Sequence, residues 1–278
     1  MKLLKLIKLL LKETASGFKK IITGLNYTAL CAVLFALSFV LYFFPVRPFF
    51  WSKILDSIYS IAQFISQDSS LLVGISNNPI FQPHIAQIIK YSVLLALTVY
   101  LLYAILHGLA WFYASRKILH HRISFWGYFG KFALFSLFYF ALMTAAIVFS
   151  LNYSFSTLFS HETANTIVLV VVLLVIIYFM LISYGLLLRH SIGQTFRRTF
   201  LLGVKKAHYA LAMFVPLIIL FALLDIILNF AAKLPTKLYL SAGLVLLCLC
   251  LVYTAVYISG AVEKVEEKIE KKEKAKKK

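Results

Sequence analysis

The segment Thr166–Leu188, TIVLVVVLLVIIYFMLISYGLLL, holds 23 residues without a single charge and runs directly into Arg189 and His190. As a helix it is about 34 Å long, enough to cross a bilayer core of about 30 Å. A barrel strand needs only about 10 residues and alternates lipid-facing with lumen-facing side chains, which this run does not do. Every backbone N–H and C=O in it must find a partner once water is gone, and the α-helix supplies that partner within the segment. Five further stretches have the same length and apolar character: Asn26–Phe44, Tyr91–Ala114, Phe132–Leu151, Tyr209–Phe230 and Leu238–Ser259. The pattern predicts an all-α polytopic membrane protein with six transmembrane helices.

The composition agrees. Of 278 residues, 62% are hydrophobic and 14% charged, with a mean hydropathy of +0.90. A soluble core of this size cannot hide that much apolar side chain, and a disordered chain does not contain it, so both classes are excluded. The formal net charge of +18 would suggest nucleic acid in a soluble protein, but the cations sit in short clusters between apolar runs, and nucleic acid is not expected as a partner. Counted by segment, one side of the six spans carries 23 Lys and Arg and the other carries 5. With an even number of spans, this bias puts both termini in the cytoplasm of a cell whose plasma or inner membrane holds the protein. Anionic lipid heads on that side are the expected bilayer partner.

Three regions follow: a basic arm over 1–25, a six-helix domain over 26–260 with an extracytoplasmic loop over 46–90, and a charged tail over 261–278. In the arm, Lys2, Lys5, Lys8 and Lys12 recur at helical spacing, leaving Leu3, Leu6, Ile7, Leu10 and Leu11 on the other face. Lys8 and Lys12 interrupt what would otherwise be the apolar core of a signal peptide, so the arm reads as an amphipathic helix lying on the inner leaflet. In the loop, Trp51, Ile54, Leu55, Ile58, Ile61, Ala62 and Ile65 share a face opposite Lys53, Asp56, Ser60 and Gln63; this predicts a short helix on the outer surface or capping the bundle. The tail alternates Glu263, Glu266, Glu267, Glu270 and Glu273 with lysines at spacings that permit i,i+4 pairs, and so extends the sixth helix into water.

The spans also read as three in–out–in hairpins with similar lead-ins. Phe18-Lys19-Lys20 precedes Gly24, Phe196-Arg197-Arg198 precedes Gly203, and the middle unit has Phe125 to Lys131 with Gly127 and Gly130. A small residue recurs at the far end of each: Gly108, Gly185 and Gly260. Small residues let helices approach closely.

Ionisable residues within a span are the first place to look for chemistry. Asp225, Asn229 and Lys233 follow one another at four-residue steps in the fifth span, downstream of Pro216, which is expected to kink that helix. His107 lies in the second span with Tyr100, Tyr103 and Trp111 at related positions, and Tyr253 and Tyr257 form a stripe in the sixth. His120, His121, His190 and His208 fall on the basic side without an evident acidic or thiol partner, so no metal site is expected. Cys31, Cys248 and Cys250 lie in apolar runs and imply neither a disulfide framework nor a thiol site. No His-Glu-x-x-His, Gly-x-Ser-x-Gly, phosphate-cradling glycine loop or CxxC pair occurs. Asn152-Tyr153-Ser154 is a glycosylation sequon on the expected outer side.

The stretch Ser191-Ile192-Gly193-Gln194-Thr195-Phe196-Arg197-Arg198 through Gly203, with Tyr253 and Tyr257 closing the sixth span, resembles a broad prokaryotic group of six-helix membrane proteins. That group includes the membrane domain attached to glycerophosphodiester phosphodiesterases and related archaeal and bacterial families. The resemblance implies fold and membrane location; without the soluble phosphodiesterase domain it implies no phosphodiester chemistry. The first functional expectation is a non-enzymatic membrane component that organises lipid or a partner protein through the basic residues Lys2, Lys5, Lys8, Lys12, Lys19, Lys20, Arg197, Arg198, Lys205 and Lys206, with no cofactor. The second is a small-solute or ion transporter using Asp225, Asn229, His107 and the Pro216 kink. The third is an intramembrane enzyme.

Overall fold

A computed structural model describes residues 2–67, 78–118, 124–156, 162–233 and 235–276. Helices among these residues are α1 (Lys2–Thr23), α2 (Leu25–Leu41), α3 (Arg47–Gln67), α4 (Gln82–Leu102), α5 (Gly108–Tyr113), α6 (Phe125–Ser156), α7 (Glu162–Leu186), α8 (Ile192–Phe200), α9 (Ala207–Ala231) and α10 (Thr236–Lys276). Wider π-turns join several of them, at Tyr42–Val46, Tyr103–His107, Ala114–Ile118 and Leu201–Lys205. No strand occurs among the described residues.

Six helical stretches are long and apolar enough to cross a membrane: Leu25–Gln67, Gln82–Arg116, Phe125–Ser150, Thr166–Leu186, Ala207–Ala231 and Leu238–Ile269. Each contains or overlaps one of the six runs read from the sequence. Large apolar side chains such as Val168, Leu174, Phe149, Ile218 and Phe230 stand exposed along them, a surface that water does not tolerate and lipid does. The chain is an all-α, multi-pass integral membrane protein.

The described chain falls into two compact units, residues 37–106 and residues 1–36 with 107–278. In the first, the segment expected to lie on the membrane surface is part of something longer. From residue 37 the end of α2 passes through Tyr42–Val46 into α3 without a break, ending at Gln67, a contour of about 45 Å that exceeds a bilayer core of about 30 Å. Pro45 sits in the π-turn; its missing N–H breaks the regular ladder and the widened turn takes up the loss without ending the helix. α3 then packs along α4. Ile54 and Ser57 are buried, Ser57 Oγ donates to Gln87 Oε1 at 3.0 Å, and Phe64 meets the rings of Phe81 and His84. Of the predicted apolar face, Trp51, Ile58 and Ala62 are exposed, so α4 covers a narrower stripe than the sequence pattern offers.

In the second unit α10 is the central element, packed by α1, α5, α7, α9 and the Ala114–Ile118 turn. In its apolar window 61% of residues are buried, against 11–22% in the other five spans, which marks it as the bundle's axis. The helix runs unbroken past residue 260, and Ala261, Val262, Val265 and Ile269 are buried. The tail is therefore helical as expected, but its first two turns are packed and not solvated. The described part of α1 also lies against α9 and α10: Glu13 and Gly17 are buried, and Phe18 stacks on Tyr253 at 4.5 Å. The side chains of Lys2, Lys5 and Lys8 lie outside the described residues, as do those of Asn152, Tyr153 and Ser154.

Glycine sets the close approaches. A Cβ at Gly108 would stand 3.0 Å from the Phe132 ring of α6, and one at Gly185 would stand 2.9 Å from Val262 of α10. At Gly260 the nearest atom, Glu13 Oε2, is 3.6 Å away, ordinary contact distance. The first two glycines permit helix packing in the manner small residues do in lipid; the third does not need to be glycine for that reason.

Candidate functional site

The most structured polar region is built around α8. Ser191 caps the helix in extended backbone, and its N–H donates to the Gln194 side chain at 3.4 Å, a reciprocal arrangement typical of helix starts. One face is sewn into the bundle by hydroxyls: Thr195 and Thr199 are buried, Thr199 Oγ1 lies 3.0 Å from Ser183 Oγ, and Ser183 Oγ is 2.7 Å from Tyr139 OH. Ser136 and Tyr184 pair beside them at 2.8 Å. Buried hydroxyls need such partners, because an unmet polar group in a dry interior is expensive. Phe196 adds an apolar anchor, stacked on Phe135 at 4.5 Å and edge-on to Phe138.

The two Phe-basic-basic motifs thus work alike. Phe18, though exposed, and the half-buried Phe196 each stack on a ring of the bundle. The cation after each, Lys19 and Arg197, is exposed, and the next, Lys20 and Arg198, is half-buried.

After Phe200 the backbone widens over Leu201–Lys205, where Tyr178 OH donates to Gly203 O at 3.1 Å. A Cβ at Gly203 would overlap Cε1 of the Phe179 ring, so alanine there must displace a ring already tilted against Phe200. Gly203→Ala is expected to lower stability by about 1–3 kcal/mol. A thermal melt in detergent checks this, and Phe179→Leu in the same chain should return part of the loss.

The other face of α8 is basic. Gln194, Arg197, Arg198 and Leu201 follow at i, i+3, i+4 and i+7, one side of a helix. With Leu202, and with Glu266 and Ile269 of α10 opposite, they line an open groove of about 470 Å3. Within it Arg198 Nη1 donates to Glu266 Oε1 at 2.6 Å, and His190 Nε2 lies 3.1 and 3.0 Å from the two Glu266 oxygens. Lys131 Nζ donates to the His190 carbonyl at 2.9 Å. Glu266 is 6% exposed, a degree of burial that a carboxylate tolerates only when paired and hydrogen-bonded. Two more pairs fix the same end of α10: Arg189 with Glu263 and Lys264 with Glu13. Charged donors beside leucine and isoleucine make the groove amphipathic, suited to an anion that carries an apolar chain.

Comparison with protein-family models, curated proteins and solved structures finds no match for this chain.

The residues singled out in the spans are not brought into this groove. Pro216 is buried inside α9, whose α-helical run continues through it from Ala207 to Ala231. Asp225 and Asn229 are exposed on that helix, with Asn229 Nδ2 donating to Asp225 Oδ2 at 3.2 Å. Nine residues separate Asp225 from Pro216, which places them on opposite faces at 100° per residue, so burying Pro216 turns the acid outward. Lys233 is exposed as well. His107 is half-buried elsewhere, edge-on to Phe35 of α2 at 4.7 Å, and Trp111 packs edge-on to Tyr184. Lys12, Lys19, Arg197 and Lys205 are exposed, whereas Lys20, Arg198 and Lys206 are half-buried. Among the described residues no group of three or more His, Cys, Asp or Glu is placed to hold a metal. His120 and His121 lie outside the described residues.

Three residues in or beside the groove, His190, Glu263 and Glu266, differ from the sequence reading. His190 does have an acidic partner, Glu266, which lies 76 positions away in the chain. Glu263 and Glu266 pair with arginines of other elements as well as belonging to a Glu/Lys-rich helix. The signal was present in the tail: Val262, Val265 and Ile269 recur at i, i+3 and i+7, an apolar stripe that a fully solvated helix has no reason to carry.

Proposed function

We propose that this protein is a non-enzymatic component of a plasma or inner membrane, with both termini in the cytoplasm, that organises anionic lipid through its basic side. The observation that supports this reading is the groove beside α8, where Arg197 and Arg198 stand next to Leu201, Leu202 and Ile269. A basic residue near an anionic surface contributes about 1 kcal/mol, and apolar walls add an acyl-chain contact that a soluble anion does not use. The strong bias of Lys and Arg to one side of the spans points the same way.

Transport would draw support from Asp225 facing the interior of the bundle. α9 turns that residue outward beside Asn229, so the lipid-organising reading is preferred.

The test is the lipid that accompanies the purified protein. Mass spectrometry of co-purified lipid should show anionic phospholipid enriched over the host membrane, and Arg197→Gln should reduce that enrichment roughly fivefold, the equivalent of about 1 kcal/mol. Co-purified lipid of the same composition as the bulk membrane would remove the basis of the reading.

A further inference from the structure

We propose that the groove between α8 and α10 is a phospholipid headgroup site in which Glu266 is a tethered competitor: lipid phosphate and the Glu266 carboxylate exchange on Arg198, and phosphate binding loosens the end of α10. This rests on the lipid-organising reading above and adds to it the chemical group recognised and the way the site is regulated.

The first reason is that the groove already contains an anion. A carboxylate held at 2.6 Å by Arg198 occupies the type of position a phosphate oxygen takes, since both groups present paired anionic oxygens to the planar donor fork of a guanidinium. The second is that Glu266 has another hydrogen-bond partner to keep. His190 Nε2 is within 3.1 Å of both carboxylate oxygens, so release of Arg198 still leaves Glu266 a hydrogen-bond partner, which lowers the cost of exchange. The third is Arg197, adjacent in sequence, exposed and lining the same groove. A phosphodiester directs its two non-bridging oxygens tetrahedrally and gains from a second guanidinium beside Arg198.

The source of the phosphate follows from the walls. Leu201, Leu202 and Ile269 line the groove together with the polar groups, and free phosphate has no use for them, whereas a glycerophospholipid presents phosphate and hydrocarbon side by side. The consequence for α10 follows from what holds it. Over residues 263–266 it is tied to the rest of the protein by Glu266 to Arg198 and His190, by Glu263 to Arg189 and by Lys264 to Glu13. Removing Arg198 from that set weakens the tie to α8 while leaving the other three.

The experiment uses the full chain in phosphatidylcholine nanodiscs with increasing phosphatidylglycerol. Phosphatidylglycerol binding is read by native mass spectrometry, and backbone amide exchange is followed over residues 263–269. Glu266→Gln keeps the shape and a hydrogen-bond acceptor but removes the competing charge; it is expected to raise phosphatidylglycerol affinity three- to tenfold. Glu267→Gln makes the same change in net charge at an exposed neighbour that does not line the groove and is expected to leave affinity within twofold. Arg197→Gln should lower affinity in both the wild-type and Glu266→Gln chains. In the wild type, phosphatidylglycerol should speed exchange over 263–269.

If Glu266→Gln binds no better than Glu267→Gln while the wild type still prefers phosphatidylglycerol to phosphatidylcholine, the competitor mechanism is wrong and the lipid reading survives. If the wild type shows no such preference, both fall. Inorganic phosphate that displaces Glu266, speeding the same exchange as well as the lipid does, would overturn the assignment to a phospholipid.

Discussion

Gly185→Leu is expected to yield no stably folded protein, and Gly185→Ala a folded one weakened by about 1–3 kcal/mol. The reason is the contact between α7 and α10. A Cβ at position 185 would lie 2.9 Å from Val262 Cγ2, 3.1 Å from Val262 Cβ and 3.3 Å from the Ile258 carbonyl oxygen. The first atom can rotate away; the other two belong to or adjoin the backbone of the most enclosed helix, so relief requires α10 itself to move. Helices in lipid gain from van der Waals contact and not from expelling water, and a forced gap there is not refilled by a solvent that favours closure. Thermal stability in detergent and the monodisperse fraction after size exclusion are the measurements. Val262→Ala in the Gly185→Ala chain should restore part of the loss, because it removes only the nearest of the three contacts. A Gly185→Ala protein as stable as the wild type would mean that α7 and α10 do not approach this closely.

The second large effect concerns the clamp on α10. Arg198→Met retains the length and apolar stem of the side chain but leaves Glu266, 6% exposed, with His190 alone. Stripping one partner from a buried pair costs about 3–5 kcal/mol. The Arg198 side chain is 36% exposed, so solvent screens part of that interaction and the expected loss is nearer 1–3 kcal/mol. Arg198→Lys should lose less, since it keeps the charge but gives up the guanidinium geometry. The double variant Arg198→Met with Glu266→Leu should recover most of the stability, because no unpaired charge is left to bury. Unfolding free energies of the two single variants and the double give the coupling directly. A coupling near zero would show that the pair contributes contact without clamping the helix.

These two sites differ in how far they were legible beforehand. Gly185 is conspicuous in the sequence because it follows a long run of branched and bulky residues and recurs at a position matched by Gly108 and Gly260. Close helix approach is a reasonable inference from that, and it holds for Gly108 and Gly185 but not for Gly260, whose neighbour is the end of the Glu13 side chain. Position in the repeat says that a helix is near; it does not say which atoms of it.

The polar residues were harder. Asp225 draws attention because an acid among leucines is rare, yet which way it faces depends on which side of α9 meets α1 and α10, and Pro216, Met213 and Leu217 take that side. Glu266 attracts no attention in a tail where glutamate alternates with lysine, although, unlike Glu267, Glu270 and Glu273, it has no lysine three or four positions away. Its burial arises from His190 and Arg198, which no local rule connects to it.

Length, hydropathy and charge along the chain are enough for six membrane-spanning helices, an all-α fold, a basic arm and a helix that continues past the last span. Those properties follow from the cost of exposing backbone or charge to lipid, which each segment meets on its own. The pairing of segments emerges only on folding: α3 packing along α4, the first turns of the tail packing into the bundle, Asp225 facing outward and Glu266 seated between His190 and Arg198. A helix in lipid has a nearly uniform apolar surface, so its side chains find their partners through packing contacts and ion pairs between residues far apart in the chain, which hydropathy along that chain does not encode.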